Sequence, residues 1–391
     1  FFSKIYNSTR EIMPSFTIVF STIVAVLAIF IGLLISPIPK NLGLYRWIAS
    51  KKPVLIGLSP AFHHGIPWKY TFDELYANTL KGQIALVTGA NSGVGYETSL
   101  ALGRLGASVT LACRNPKKCE TAAQAIRNDS RYGGGKISTM LVDTSSLRSV
   151  QKFSQDYVRI YADKTLDILY LNAGIGSSIP EKDNASSLPL SEDGIEKTFA
   201  TNYVGHHLMY KILEPLLLKS SMARVVMTSS ANSFDTFPYK VATSLETLNS
   251  VDYPKEFSKI YGQSKLAQIL WAKELTRRLG STNSNVYVNA VHPGAVDTGI
   301  WRKHPLIPEF LKRTLIKWLR KNAMWTGAEG ALTMLYLGVA TDELIKNKVR
   351  GKYFHPQTQE VVNPLALDES LQKELWKFSD DLVSNYSGRV A

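Results

Sequence analysis

Tyr261 and Lys265 stand four residues apart in YGQSK, a spacing that places both side chains on one face of a helix, about one turn apart. An ammonium beside a phenol favours the phenolate. It would lower a phenol pKa of about 10 toward working pH, so the pair suits proton exchange with a substrate oxygen. Ser230 follows the apolar run ARVVMTS and can donate a hydrogen bond to a carbonyl or alkoxide oxygen as charge develops there. A Y-x-x-x-K spacing occurs by chance in many helices, so these residues carry weight only together with the elements that position them.

Upstream lies a second constellation. From Gln83, QIALVT reads as a short buried parallel strand, GANSGVG as a glycine loop and YETSLALGRLG as a helix, the order a nucleotide-binding turn requires. Gly89, Gly93 and Gly95 allow a tight turn and a close approach to a pyrophosphate seated on the positive end of the helix that starts near Gly93; Asn91, Ser92 and Val94 complete the loop. The glycines are spaced T-G-x-x-x-G-x-G. After the second strand, Ser108–Cys113, an acid would accept hydrogen bonds from the ribose of NAD, but this chain has Arg114 and then Lys118. Arg114 can stack on adenine and pair with a 2′-phosphate while Lys118 adds charge, which favours NADP(H); Lys117 reads as a solvated helix start. Asp143, at the end of ISTMLVD, would bond the adenine amino group or cap the next helix, and both readings stay open.

Around these sites the chain of 391 residues is 45% hydrophobic and 20% charged, which suits a buried core and excludes a disordered tail protein. Two cysteines, Cys113 and Cys119, are too few for a disulfide framework and lack zinc spacing, so a reducing compartment fits. No charged residue falls between Ile12 and Pro39, and the 21 mostly apolar residues from Ser15 to Ile35 would form a helix about 31 Å long, matching a hydrocarbon core. We expect a flank over 1–14, a single-pass transmembrane anchor over 15–38, a lead segment over 39–80 and one catalytic domain over 81–385. Positive charge at 40–52 places that domain on the cytosolic side, with the endoplasmic reticulum or a lipid droplet as the expected surface.

The net charge of +13 is concentrated: residues 40–52 hold four basic residues and no acid, and residues 302–321 hold seven basic residues and one acid. Within 302–321, Leu311, Leu315, Trp318 and Leu319 share one helical face and Arg313, Lys317, Arg320 and Lys321 another, a pattern that fits a membrane interface or a cover over a pocket. Nucleic acid is not an expected partner, since basic and exposed aromatic residues do not interleave elsewhere.

The ordered motifs resemble the short-chain dehydrogenase/reductase superfamily: Thr88 to Gly95, Asn172-Ala173-Gly174, Asn202, Ser229-Ser230, Tyr261 to Lys265, and His292-Pro293-Gly294. The resemblance implies an α/β fold, a Rossmann-type doubly wound parallel sheet in a single domain. It also implies roles: Ser230 rather than Ser229 acts on the substrate oxygen, Lys265 also binds the nicotinamide ribose, and Asn202 holds a helix kink and a water leading to the lysine. Asn172, Ala173 and Gly174 would lie against that ribose, and the segment from Pro293 and Gly294 to Val296 and Thr298 would carry the carboxamide. Dimerisation through the helices bearing Asn202 and Tyr261 is a further implication.

Tyr261 to Gln268, Trp325 to Ala331 and Gly351 to Phe354 are similar to the retinol dehydrogenase-like group, which includes WW-domain oxidoreductases. The expected activity is NADP(H)-dependent interconversion of an alcohol and a carbonyl on a lipophilic substrate such as a retinoid, long-chain aldehyde or steroid. A protochlorophyllide-type double-bond reductase and a non-catalytic NADPH-sensing scaffold are the alternatives. No metal site is expected.

Overall fold

The computed structural model describes residues 68–176, 188–236, 240–250, 257–280, 285–296 and 324–386. The anchor expected over 15–38, the basic amphipathic helix expected over 302–321 and the site residue Thr298 lie outside them. Among the described residues no helix is long and apolar enough to cross a membrane.

The strands are β1 (Ile84–Thr88), β2 (Ser108–Cys113), β3 (Ile137–Leu141), β4 (Ile168–Leu171), β5 (Ala223–Thr228), β6 (Val286–Val291), β7 (Tyr353–His355) and β8 (Gln359–Glu360). They form one sheet in the order β3-β2-β1-β4-β5-β6-β7-β8, parallel except for the β7–β8 pair. The expected doubly wound Rossmann-type class is therefore what the chain adopts. Burial on both faces explains why the strands read as continuous apolar runs. In β4 (ILYL), Leu169 and Leu171 enter one core while Ile168 and Tyr170 enter the other.

In chain order the α-helices of five residues or more are α1 (Phe72–Tyr76), α2 (Gly93–Arg104), α3 (Pro116–Arg127), α4 (Leu147–Ile160), α5 (Gly205–Leu218), α6 (Leu245–Asn249), α7 (Phe257–Arg278), α8 (Gly327–Val339), α9 (Thr341–Lys346) and α10 (Glu369–Val383). Residues of α1, α2, α3 and α8 pack on one face of the sheet, and residues of α4, α5, α7 and α10 on the other. Their starts follow capping chemistry: Asn115 accepts from Lys118 N with Pro116 in the first turn, and Thr326 and Glu329 form a capping box that opens α8. Because β1 lies between β2 and β4, successive connections diverge there, and a crevice opens at the carboxyl ends of these strands.

Part of the lead segment belongs to this core. Tyr70, Leu75 and Leu80 are buried, Tyr70 packs on Tyr336, and Trp68 meets Trp325 edge-on at 5.5 Å. At the other terminus α10 lies across α5 and α7. Its Asp380 accepts from His207 Nε2 (2.9 Å), Lys211 Nζ (2.7 Å) and Trp376 Nε1 (2.9 Å), while Ser379 meets Tyr203. Trp271 Nε1 donates to His207 Nδ1, which assigns the imidazole proton to Nε2. Burial opposes ionisation of Asp380, but the bonds from His207 and Lys211 outweigh it and hold the carboxyl well below its usual range.

The cysteines depart from the sequence reading. Cys113, at the end of β2, and Cys119, in the first turns of α3, are joined as a disulfide with Cα atoms 5.8 Å apart. Their separation of six residues hid this, since no framework of several bridges is involved and the strand-to-helix turn brings them together.

Candidate active site

The glycine loop leaves β1 at Gly89, whose φ of +66° is a conformation that side chains disfavour. A Cβ on Gly89 would also sit 2.9 Å from Ala173 Cα, so the loop and the end of β4 are in backbone contact. Thr88 holds them together. Its hydroxyl accepts from Asn172 N (2.8 Å) and Ala173 N (2.9 Å). The same oxygen lies 3.1 Å from His206 Nε2, and His206 Nδ1 lies 3.0 Å from the Asn202 carbonyl. A carbonyl only accepts, so Nδ1 carries the proton and Nε2 accepts from Thr88. Burial pushes the His206 imidazolium down to about 3, which keeps this ring neutral and its tautomer fixed. Neither His206 nor a role for Thr88 stands out in the sequence, because the contact joins residues 118 apart in the chain.

Asn202 sits in a π-helical turn, Ala200–Val204, just before α5. Its Oδ1 accepts from Ile175 N (2.8 Å), and its Nδ2 donates to Ile175 O (3.0 Å) and Ser264 Oγ (2.9 Å). Gln268 Nε2 donates to its carbonyl (2.7 Å), a contact the sequence reading did not foresee. A wider turn frees backbone groups for such bonds, so Asn202 ties the segment after β4 to α7.

Lys265 reaches back across that junction. It is buried, its Nζ donates to Thr228 O (2.8 Å), and its own carbonyl accepts from Ser229 Oγ (2.7 Å). Ser229 thus braces the end of β5 against α7. A Cβ on Gly174 would stand 3.2 Å from Asn202 Oδ1 and 3.5 Å from Lys265 Nζ, which draws Gly174, Asn202 and Lys265 into one cluster. Ser230 Oγ accepts from Asn232 N (3.2 Å), lies 3.3 Å from Asn232 Oδ1 and is bonded to the Tyr261 hydroxyl. Lys265 Nζ stands 5.5 Å from the centre of the Tyr261 ring. Asn202, Ser230, Tyr261 and Lys265 therefore converge at the carboxyl ends of β4 and β5.

One expectation is corrected. Burial pushes the Tyr261 phenol up to about 12, with the Ser230 bond pulling the other way, and burial pushes the Lys265 ammonium down to about 7. The protein alone does not turn the phenol into a phenolate at neutral pH, because desolvation acts against the charged form of both groups.

At the nucleotide end the fit is looser. Asn91, Ser92, Lys117 and Lys118 line a cavity of about 500 Å³ together with Tyr96 and Ala122. Lys117, read from sequence as solvated, shares this wall with Lys118. Arg114 is mostly exposed and stands 3.8 Å from Asp143, whose other oxygen accepts from Ser145 N and Ser145 Oγ. Asp143 thus closes the turn after β3, while Ser146 caps the next helix. Asn172 likewise braces rather than protrudes, with Nδ2 donating to Thr88 O (2.9 Å).

At the far side, Gly294 has φ +92°, and any side chain there would collide with the Trp325 ring and lie 2.9 Å from Pro356 Cγ. Val296 N donates to Gly294 O, Trp325 N donates to Ala295 O, and Val296 pairs with Trp325 in a short parallel bridge. Trp325 thereby backs the Pro293–Val296 loop, a role the sequence motif did not reveal.

A dinucleotide-type crevice that ends in a serine, a tyrosine and a buried lysine defines an oxidoreductase. Residues 83–244 match the short chain dehydrogenase family. Retinol dehydrogenase 14 of Mus musculus is 37% identical over 314 residues, covering 78% of this chain and 86% of that protein. The WW domain-containing oxidoreductase of Gallus gallus is 33% identical over 318 residues, covering 81% of this chain and 71% of that protein. Among solved structures, a protein from Mycobacterium paratuberculosis superposes with a TM-score of 0.58 at 27% identity, covering 78% of this chain and 95% of that one. The chain belongs to the short-chain dehydrogenase/reductase family, in its retinol dehydrogenase-like group.

Proposed function

We propose that the chain interconverts an alcohol and a carbonyl on a lipophilic substrate, with NADP(H) as the hydride carrier. The observation that carries this reading is the convergence of Ser230, Tyr261 and buried Lys265 beside Gly174 and Asn202. Bound NADP(H) supplies or accepts the hydride. The residues fit such a group. Lys265 has three N–H bonds, of which Thr228 O takes one, so the ribose hydroxyls would take others and offset the cost of a buried ammonium. Arg114, Lys117 and Lys118 would hold the 2′-phosphate, and the Pro293–Val296 loop the carboxamide.

Tyr261 gives its hydroxyl proton to the substrate oxygen in reduction and takes it back in oxidation. Ser230 donates a hydrogen bond to the same oxygen and so stabilises its developing charge. Lys265 favours the phenolate whenever it is protonated. Asn202 positions α7, through Ser264 and its bonds to Ile175, so that these groups stay in register.

A lipophilic substrate is supported by the relatives named as retinol dehydrogenases and by the aromatic stretch between Ser230 and Tyr261, of which Phe234 packs near Tyr353 and His355. A single-pass anchor over 15–38 and a basic interfacial helix over 302–321 are supported by the apolar and charged patterns alone. A homodimer through α5 and α7 would have to accommodate α10, which packs against both helices.

Tyr261→Phe tests the chemistry. Retinal-dependent oxidation of NADPH is expected to fall by about a thousandfold, within the range that general acid catalysis and charge stabilisation together supply. NADPH binding, read by fluorescence, stays within about threefold of wild type. A variant with the wild-type rate overturns the mechanism.

A further inference from the structure

The cations that face the 2′-phosphate in this reading lie on one short segment, Arg114 to Lys118, between the end of β2 and the first turn of α3. Cys113 and Cys119 bracket it and are bonded to each other, both nearly inaccessible to solvent. Inside the bracket, Asn115 accepts from Lys118 N and Pro116 opens the helix. Lys117 and Lys118 line the cavity that Asn91 and Ser92 share. Arg114 has a weaker hold, with an exposed side chain and a 3.8 Å pair to Asp143. The cap fixes the helical end of the segment, and the disulfide fixes its strand end to the helix.

We propose that the Cys113–Cys119 disulfide is a specificity element for the cofactor. It holds Arg114, Lys117 and Lys118 in the arrangement that receives the 2′-phosphate of NADP(H), and its reduction by a dithiol shifts preference toward NAD(H). A cross-link across so short a loop removes conformations that binding would otherwise have to remove, so it contributes to affinity for a ligand that needs those side chains ordered. NAD(H) has no 2′-phosphate and gains far less from that order, which leaves it only the stacking of Arg114 on adenine.

Both sulfurs are buried, so reduction follows a local opening of the turn after β2, and it is balanced by one dithiol. Its first thiolate attacks one cysteine sulfur and forms a mixed disulfide; its second thiolate displaces the remaining cysteine. The chain gains two electrons and two protons as two thiols, and the dithiol becomes a cyclic disulfide. The reduced state has a resting place for one thiol: Cys119 Sγ lies 3.4 Å from the Leu111 carbonyl, which can accept its S–H.

The inference rests on the proposed NADP(H) reading, and the full chain tests both separately. Alkylation in denaturant without reductant, followed by intact-mass measurement, is expected to find no free thiol. NADPH and NADH dissociation constants are then measured for the oxidised chain, for the same chain after dithiothreitol, and for Cys119→Ser and Cys113→Ser. Reduction and either substitution should weaken NADPH by about tenfold and leave NADH within about twofold, with dithiothreitol adding nothing in the variants. Thermal unfolding of each form shows that it is folded. Two alkylated cysteines in the unfolded, unreduced chain, an unchanged NADPH affinity on reduction, or an equal loss for both cofactors would each overturn the proposal, the last showing a merely structural bond. An oxidised chain that prefers NADH, or binds neither cofactor, would overturn the NADP(H) reading itself.

Discussion

The two ends of the crevice are built on different principles. At the catalytic end the polar groups are buried and committed: Asn202 uses both side-chain atoms and its carbonyl, His206 both ring nitrogens, and Thr88 its hydroxyl in several directions. At the nucleotide end, Arg114 is mostly exposed, and Lys117 and Lys118 face an open cavity. The first arrangement gives positional accuracy, since a buried group left without a partner is costly. The second gives attraction at the surface, where side chains move and charge is screened. Substitutions should therefore damage folding at one end and affinity at the other.

The largest expected effect is Asn202→Ala. It strands Ile175 N and Ile175 O and removes the donor to Ser264 Oγ, which keeps its own bond to Tyr261 O, and should lower unfolding free energy by about 3 kcal/mol with near-complete loss of activity. Chemical denaturation measures it. A loss below about 1 kcal/mol would mean that the π-helical turn relaxes freely, and the contrast between the two ends would weaken.

Next comes the protonation of Lys265. Burial pushes its pKa down to about 7 from an ordinary 10.5, so the sign is that of a depressed base: the folded chain releases this proton between those values while the unfolded chain keeps it. The resulting cost to stability is present below pH 7 and disappears as pH rises through 10.5. If cofactor hydroxyls and phosphates stabilise the ammonium, NADP(H) binding should take up a fraction of a proton near pH 8, seen as a buffer-dependent binding enthalpy. Lys265→Met should abolish the uptake. Equal uptake in that variant would move the titrating group elsewhere.

Much of this architecture was legible because its causes are local. Parallel strands buried on both faces read as apolar runs, and the glycines stand where the backbone must turn or touch. The cluster of Ser230, Tyr261 and Lys265 was legible too, as ordered motifs on elements of a known succession. What stayed hidden depends on contacts between distant segments: Trp325 behind Gly294, Gln268 on the Asn202 carbonyl, His206 between Asn202 and Thr88. The Cys113–Cys119 bond was hidden for the opposite reason. It is local, but its formation depends on how a strand end faces the next helix, which composition does not encode.

The smallest effect separates the two ends most directly. Arg114 is exposed, and its pair with Asp143 at 3.8 Å is a long one for an ion pair. Removing it should change stability by no more than about 0.5 kcal/mol. Its guanidinium nevertheless suits a phosphate, with several donors in one plane. Arg114→Ala is thus expected to weaken NADPH by about tenfold, to leave NADH unchanged, and to lose much of its effect at high salt, where surface attraction is screened. Measuring both cofactors at low and high ionic strength checks all three. A stability loss comparable to that of Asn202→Ala would show that the nucleotide end is as tightly built as the catalytic end, and the distinction between them would fall.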